Sequence, residues 1–168
     1  MAVETTDSAQ VAAAEASPQT LVDVSVSGGR VRSIIGTMEV TAAQVTDDGD
    51  ILRLARIPSN AVINSIELGS DALGASGGTA NVGIYQTDGT EDDEDAYASA
   101  VTILQAGSAL TRVENEARDI DNVGERVWQD AGDTSDPGGL KDICVTIAAT
   151  MGTPAAGSVS WVIHYTID

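Results

Sequence analysis

Strict alternation near the end of the chain limits the possible folds more than any other feature. Val159, Trp161, Ile163, Tyr165 and Ile167 alternate with Ser160, Val162, His164 and Thr166, and upstream Ile143, Val145 and Ile147 alternate with Asp142, Cys144 and Thr146. Successive side chains of a strand point to opposite faces, so a period of two predicts two strands, each with one face turned to a core. The segment joining them, Met151 to Gly157, is too long for a two-residue hairpin turn.

The same signal recurs upstream. Val22, Val24 and Val26 share a face and stop at Gly28-Gly29, and Val31 to Val40 alternates around Ile34, Met38 and Val40, with Gly36 read as a bulge. Ile51 to Ile57 reads as a strand with Arg53 and Arg56 on opposite faces, stopped by Pro58-Ser59-Asn60. Ala61 to Leu68 follows with Val62, Ile66 and Leu68 on one side, and Thr79 to Gln86 alternates through Ala80, Val82 and Ile84. Turns fall at Asp47 to Asp50 and at Asp88-Gly89-Thr90, and longer loops at Gly69 to Gly78 and Ala131 to Gly139. The run Glu91 to Asp95 reads as solvated charge. Ala96 to Leu104 fits a helix through Tyr97, Val101 and Leu104, and equally a strand through Val101 and Ile103. Asn115 to Val127 is polar, and Arg126-Val127-Trp128 reads as a strand or an anchoring turn.

Seven to nine short strands without a long amphipathic helix predict an all-β chain, an antiparallel β-sandwich. The core residues agree: there is no Phe, and Val, Ile and Ala dominate, a light β-branched set that suits strands. Pattern alone does not separate a jelly roll from an immunoglobulin-like arrangement. The single cysteine removes the usual immunoglobulin marker, so the expectation is jelly-roll-like. Residues 1–19, rich in Ala, Ser, Thr, Glu and Gln, lack the apolar residues to cover a core and are expected to form a flexible arm. Residues 20–168 are expected to form one domain.

Charge narrows the partners. The chain holds 26 acidic and 8 basic residues, a formal net charge of −18, and a field of that sign repels both nucleic acid and anionic membranes. Two origins for the acidity stand side by side: GC-rich codon usage with solubility, and adaptation to a salty or crowded surface. The first residues carry neither the basic nor the apolar stretch of a secretory signal, and no segment approaches membrane-spanning length. Synthesis in a cytoplasm is the expectation.

Chemistry has little to work with. One His, one Cys and one Lys are a thin set for catalysis, which argues for a structural or binding role and against an enzyme. Cys144 reads as a small buried thiol and His164 as a solvated or interface residue. The acidic runs Asp47 to Asp50 and Asp88 to Asp95 offer oxygens to a hard cation. They lack the EF-hand spacing, however, and contiguous carboxylates on an extended chain diverge, so neither metal nor cofactor is expected. The glycines at Gly74 to Gly78 form no phosphate-binding fingerprint. Trp128 and Trp161 read as core or interface anchors.

The order of segments Asp50 to Pro58, Ala61-Val62-Ile63 to Glu67-Leu68, Asn81 to Tyr85, Arg126-Val127-Trp128 and the closing strand resembles the head decoration (cement) protein family of tailed bacteriophages. The likeness runs from about residue 30 to the end and rests on strand patterns; the acidic run Glu91 to Asp95 departs from it as an insertion. It implies an arm followed by a β-sandwich outside the major capsid protein lattice, on the exterior of a virion. It further implies a homo-oligomer, with a trimer as the expected form, and stabilisation of the shell by binding the major capsid protein. Residues before Val40, with Arg30 and Arg32 among them, together with Arg53, Arg56 and Trp128, are the expected contacts. Two other roles stay open: a receptor- or carbohydrate-binding module of a head fibre or tail acting through the loops, and a small hydrolase on the same fold.

Overall fold

A computed structural model describes residues 16–18, 30–115, 122 and 124–167. The expected arm and the predicted Val22 to Val26 strand lie outside the described residues. The described residues form eight strands, β1 (Arg30–Val40), β2 (Ile51–Pro58), β3 (Val62–Ser70), β4 (Thr79–Gln86), β5 (Glu91–Val101), β6 (Ser108–Arg112), β7 (Leu140–Ala149) and β8 (Gly157–Ile167). A one-turn helix, α1 (Val127–Asp130), precedes β7, and a 3-10 turn spans Ala42–Val45.

The strands form two four-stranded antiparallel sheets, in the orders β1-β8-β3-β6 and β2-β7-β4-β5. Only β4 and β5 are both consecutive in the chain and paired as neighbours, so every other connection crosses between the sheets. Four-and-four wrapping of this kind is the eight-stranded jelly roll, which resolves the choice that pattern had left open.

Inner faces supply the core. Leu52 and Ile57 of β2, Ile143, Val145 and Ile147 of β7, and Ala80, Val82 and Ile84 of β4 meet Val159, Trp161 and Ile163 of β8 and Ile66 and Leu68 of β3. Each fully buried Ile or Leu contributes about 1.5–3 kcal/mol. The alternation in β8 thus has the cause expected from the sequence: one row of side chains leaves water; in β7 both rows do, with Asp142, Cys144 and Thr146 buried on the outer face.

Three readings of face and register need correcting. Gly36 is not a bulge, because β1 runs in unbroken register against β8, and Gly36 sits across from Trp161, whose indole fills the space a Cβ would take. In β2 a bulge between Arg53 and Ala55 adds one residue, so Arg53 and Arg56 turn to the same face rather than to opposite ones. A second bulge, between Ile63 and Ser65, brings Ile63 into the core with Ile66 and Leu68 and moves Val62 to the other face.

The undecided segment from Ala96 is strand as far as Val101. The acidic run before it is neither a loop nor fully solvated: Glu91 to Asp95 begin β5 and are mostly half-buried. Between Val82 and Ile84, two steps on β4, the partner strand advances from Ala98 to Asp93. The extra residues fold over the sheet, so that a Cβ on Gly83 would meet the backbone of Asp93 and Glu94. β6, largely exposed and only five residues long, had no alternation strong enough to announce it.

Candidate functional site

The outer face of the β2-β7-β4-β5 sheet holds the most organised polar cluster in the molecule. Asp142 sits on β7 opposite Arg56, with its side chain 4% exposed. Arg56 donates from Nε to Oδ1 at 2.6 Å and from Nη2 to Oδ2 at 3.0 Å, a two-pronged contact that matches a planar fork to a planar carboxylate. Arg53 donates from Nη1 to Oδ2 at 3.5 Å and to the Thr87 carbonyl at 3.4 Å. Both guanidinium side chains stay about half exposed, at 46% and 49%, so each keeps donors facing solvent around a shallow depression of about 310 Å³. The hydrogen bond and charge of Asp142 raise the Arg56 pKa above its usual value.

A second cluster ties β5 to the loop before β7. Lys141, 7% exposed, donates from Nζ to Asp92 Oδ2 at 2.7 Å and to Asp133 Oδ2 at 3.1 Å. Burial opposes its charge, but the hydrogen bonds and charges of Asp92 and Asp133 outweigh that, and the ammonium titrates above the ordinary lysine range. Part of the acidic run therefore neutralises the chain's one lysine. Burial raises the Asp93 pKa, and its neighbours Asp95 and Glu91 add to the effect.

Chemistry beyond binding finds few footholds. Burial first, then the charge of Asp142, push the Cys144 thiol up to about 12, which leaves almost no thiolate near neutral pH. Ser33 Oγ and His164 Nδ1 lie 2.7 Å apart, but on an exposed sheet face, and among the described residues no carboxylate orients the ring. No group of three or more His, Cys, Asp or Glu side chains among the described residues converges on a point where a metal would bind. Among the described residues no helix is long and apolar enough to cross a membrane.

The five residues expected to make contacts do not form one patch. Arg30 and Arg32 lie exposed at the start of β1 in one sheet, and Arg53 and Arg56 lie on β2 in the other. Trp128 sits in α1, the anchoring turn of the two alternatives: the Val127 and Trp128 amides donate to the carbonyls of Ala61 and Ser59 at 2.8 and 3.0 Å. The Trp128 indole is half-buried with its N–H unpartnered. Sequence reasoning missed Asp142 and Lys141. Among 26 acidic residues nothing local marks which carboxylates fold inward, although Lys141, the one lysine, beside Asp142 at the start of a strong strand pattern was a usable hint.

No protein-family model matches the sequence, and neither does any curated protein. Solved structures do match. A chain in the capsid of Ralstonia phage GP4 superposes with a TM-score of 0.59 at 23% identity, covering 83% of this chain and 86% of that one. A chain in the capsid asymmetric unit of cyanophage Pam1 superposes with a TM-score of 0.53 at 19% identity, over the same shares. At these identities the likeness is one of fold.

Proposed function

We propose that this chain is a virion structural protein that decorates and stabilises the outside of a phage capsid by binding the major capsid protein lattice. The observation that carries the reading is the jelly roll held in common, over more than four fifths of the chain, with chains from two phage capsids. Acidity supports an exterior position, since a net charge of −18 repels packaged nucleic acid and keeps particles dispersed. Such a role asks for surfaces and no catalytic centre, and the half-exposed forks of Arg53 and Arg56, with Arg30, Arg32 and Trp128, are the contacts we assign to it. Binding across capsomer junctions adds buried area, and by mass action the assembled lattice gains stability. Purified protein added to expanded shells of the major capsid protein encoded in the same genome is expected to bind to saturation and raise the shell melting temperature. Shells that bind none of it overturn the proposal.

A further inference from the structure

We infer that Arg53 and Arg56 together form a receptor for one carboxylate, an Asp or Glu side chain presented by the major capsid protein. The inference rests on the virion reading above and names the chemistry of its contact. A bulge makes the clamp. Residues three apart on a regular strand point to opposite faces, but the extra residue between Arg53 and Ala55 turns both guanidinium groups to the same side of β2. Both then reach Asp142, whose side chain is 4% exposed while theirs are about half exposed, so the carboxylate lies beneath and the two forks lie toward solvent.

A guanidinium carries more N–H donors than these contacts use. Arg56 gives Asp142 one from Nε and one from Nη2, and Arg53 turns only Nη1 to Asp142 and the Thr87 carbonyl. Arg56 Nη1 and Arg53 Nε thus have no hydrogen-bond partner among the described residues. The Arg53 fork is also held in position by Gly89, since a Cβ there would meet its Nη2.

Charge selects the occupant. The depression of about 310 Å³ is lined by Arg53, Leu54, Ala55, Arg56 and Asp142, two positive charges against one negative. Asp88, in the adjacent turn, gives its carboxylate to the Thr90 amide at 2.9 Å rather than to Arg53. The clamp is therefore a local positive excess on a chain of net charge −18. A polyanion such as nucleic acid or an anionic membrane meets the field of the whole molecule and is repelled, whereas a single carboxylate on a neutral or basic surface meets only the local excess. Its planar shape also matches the planar forks.

Binding of the full chain to expanded shells of the major capsid protein, measured over a salt series, tests the inference. Arg53→Gln is the reporter, since Arg53 touches Asp142 only at 3.5 Å and its loss leaves the Arg56 fork in place. Shell affinity is expected to fall at least about tenfold with little change in the chain's melting temperature, and to lose part of its salt dependence. Arg112→Gln makes the same change in net charge at a 64% exposed arginine outside the clamp and is expected to bind like the wild type. Shells whose surface carboxylates have been converted to neutral amides are expected to bind wild type and Arg53→Gln alike, because the group that told them apart is gone.

Shells that bind neither form overturn the virion reading, and the carboxylate receptor with it. Shells that bind both forms with equal affinity leave that reading standing and overturn the receptor alone, as does an equal loss in Arg112→Gln, or a wild-type advantage that survives amidation. Self-association of the free chain that Arg53→Gln abolishes, with shell binding unchanged, also overturns it and gives the clamp to a second copy.

Discussion

Gly36 and Trp161 face each other across the β1–β8 ladder, and the indole of Trp161 lies over the bare Cα of Gly36. The glycine is there for want of a side chain rather than for backbone freedom. Gly36→Val therefore overpacks the core and is expected to cost about 1–3 kcal/mol, read as a lower urea midpoint with unchanged m-value. Trp161→Leu in the same chain should recover part of that loss, since the two changes share one space.

Gly83 makes a harsher case, because its neighbours are the backbone of Asp93 and Glu94 and not a movable ring. Gly83→Ala is expected to cost more than Gly36→Ala and to loosen β5. Hydrogen exchange would show the difference: amides of β5 lose protection in the Gly83 variant, while those of β1 do not.

Lys141 gives a prediction in alkali. Its folded pKa lies above the ordinary 10.5, so its contribution to stability is complete at neutral pH and is lost as pH rises through the folded value. Lys141→Met leaves the carboxylate of Asp92, 10% exposed, without its charged partner and is expected to cost about 3 kcal/mol at pH 7. Thermal melts from pH 7 to 11 check both parts: the wild-type curve falls at the alkaline end and converges toward that of the variant.

Asp93 works the other way. Its pKa is raised from 3.8 in the folded chain, chiefly by burial, so the ionised carboxylate weakens the fold at neutral pH and ceases to do so once pH falls below the unfolded value. Asp93→Asn, which can still accept from the Asp95 amide, is expected to raise the melting temperature at pH 7 and to change nothing near pH 3. An equal gain at both pH values would sink the account.

Cys144, with its pKa near 12 and its side chain buried, is expected to resist a thiol reagent at pH 8 in the native protein and to react at once in denaturant. Absorbance after mixing with a chromogenic disulfide reads the result.

The strands legible in the sequence are those whose two faces differ in residue type, whether or not the second face is wet. β8 fell into place because Trp161 and Ile163 are buried while Ser160, Val162 and His164 are only half-buried, and β4, buried on both faces, was legible from residue type, with Asn81 and Gly83 set between Ala80, Val82 and Ile84. Alternation fails where the backbone breaks step: one bulged residue swung Arg53 and Arg56 to a common face, and another exchanged Val62 for Ile63. It fails again in β5, whose carboxylates read as solvated until Lys141, some fifty positions later, is placed beside Asp92. The Arg56–Asp142 pair was hidden for the same reason, since a two-pronged contact between strands 86 residues apart leaves no local trace. The four-and-four wrapping is likewise a property of crossovers, which strand patterns do not record.

The inequality of the four sheet edges limits how far edge-to-edge association can go. A sheet that is adhesive on both sides adds copies without end and grows fibres; here the first sheet ends on one side in the short β6, and the second sheet is guarded by a bulge on β2 and by carboxylates on β5. With at most one long unbroken edge strand among the described residues, edge-to-edge stacking has no second side from which to continue.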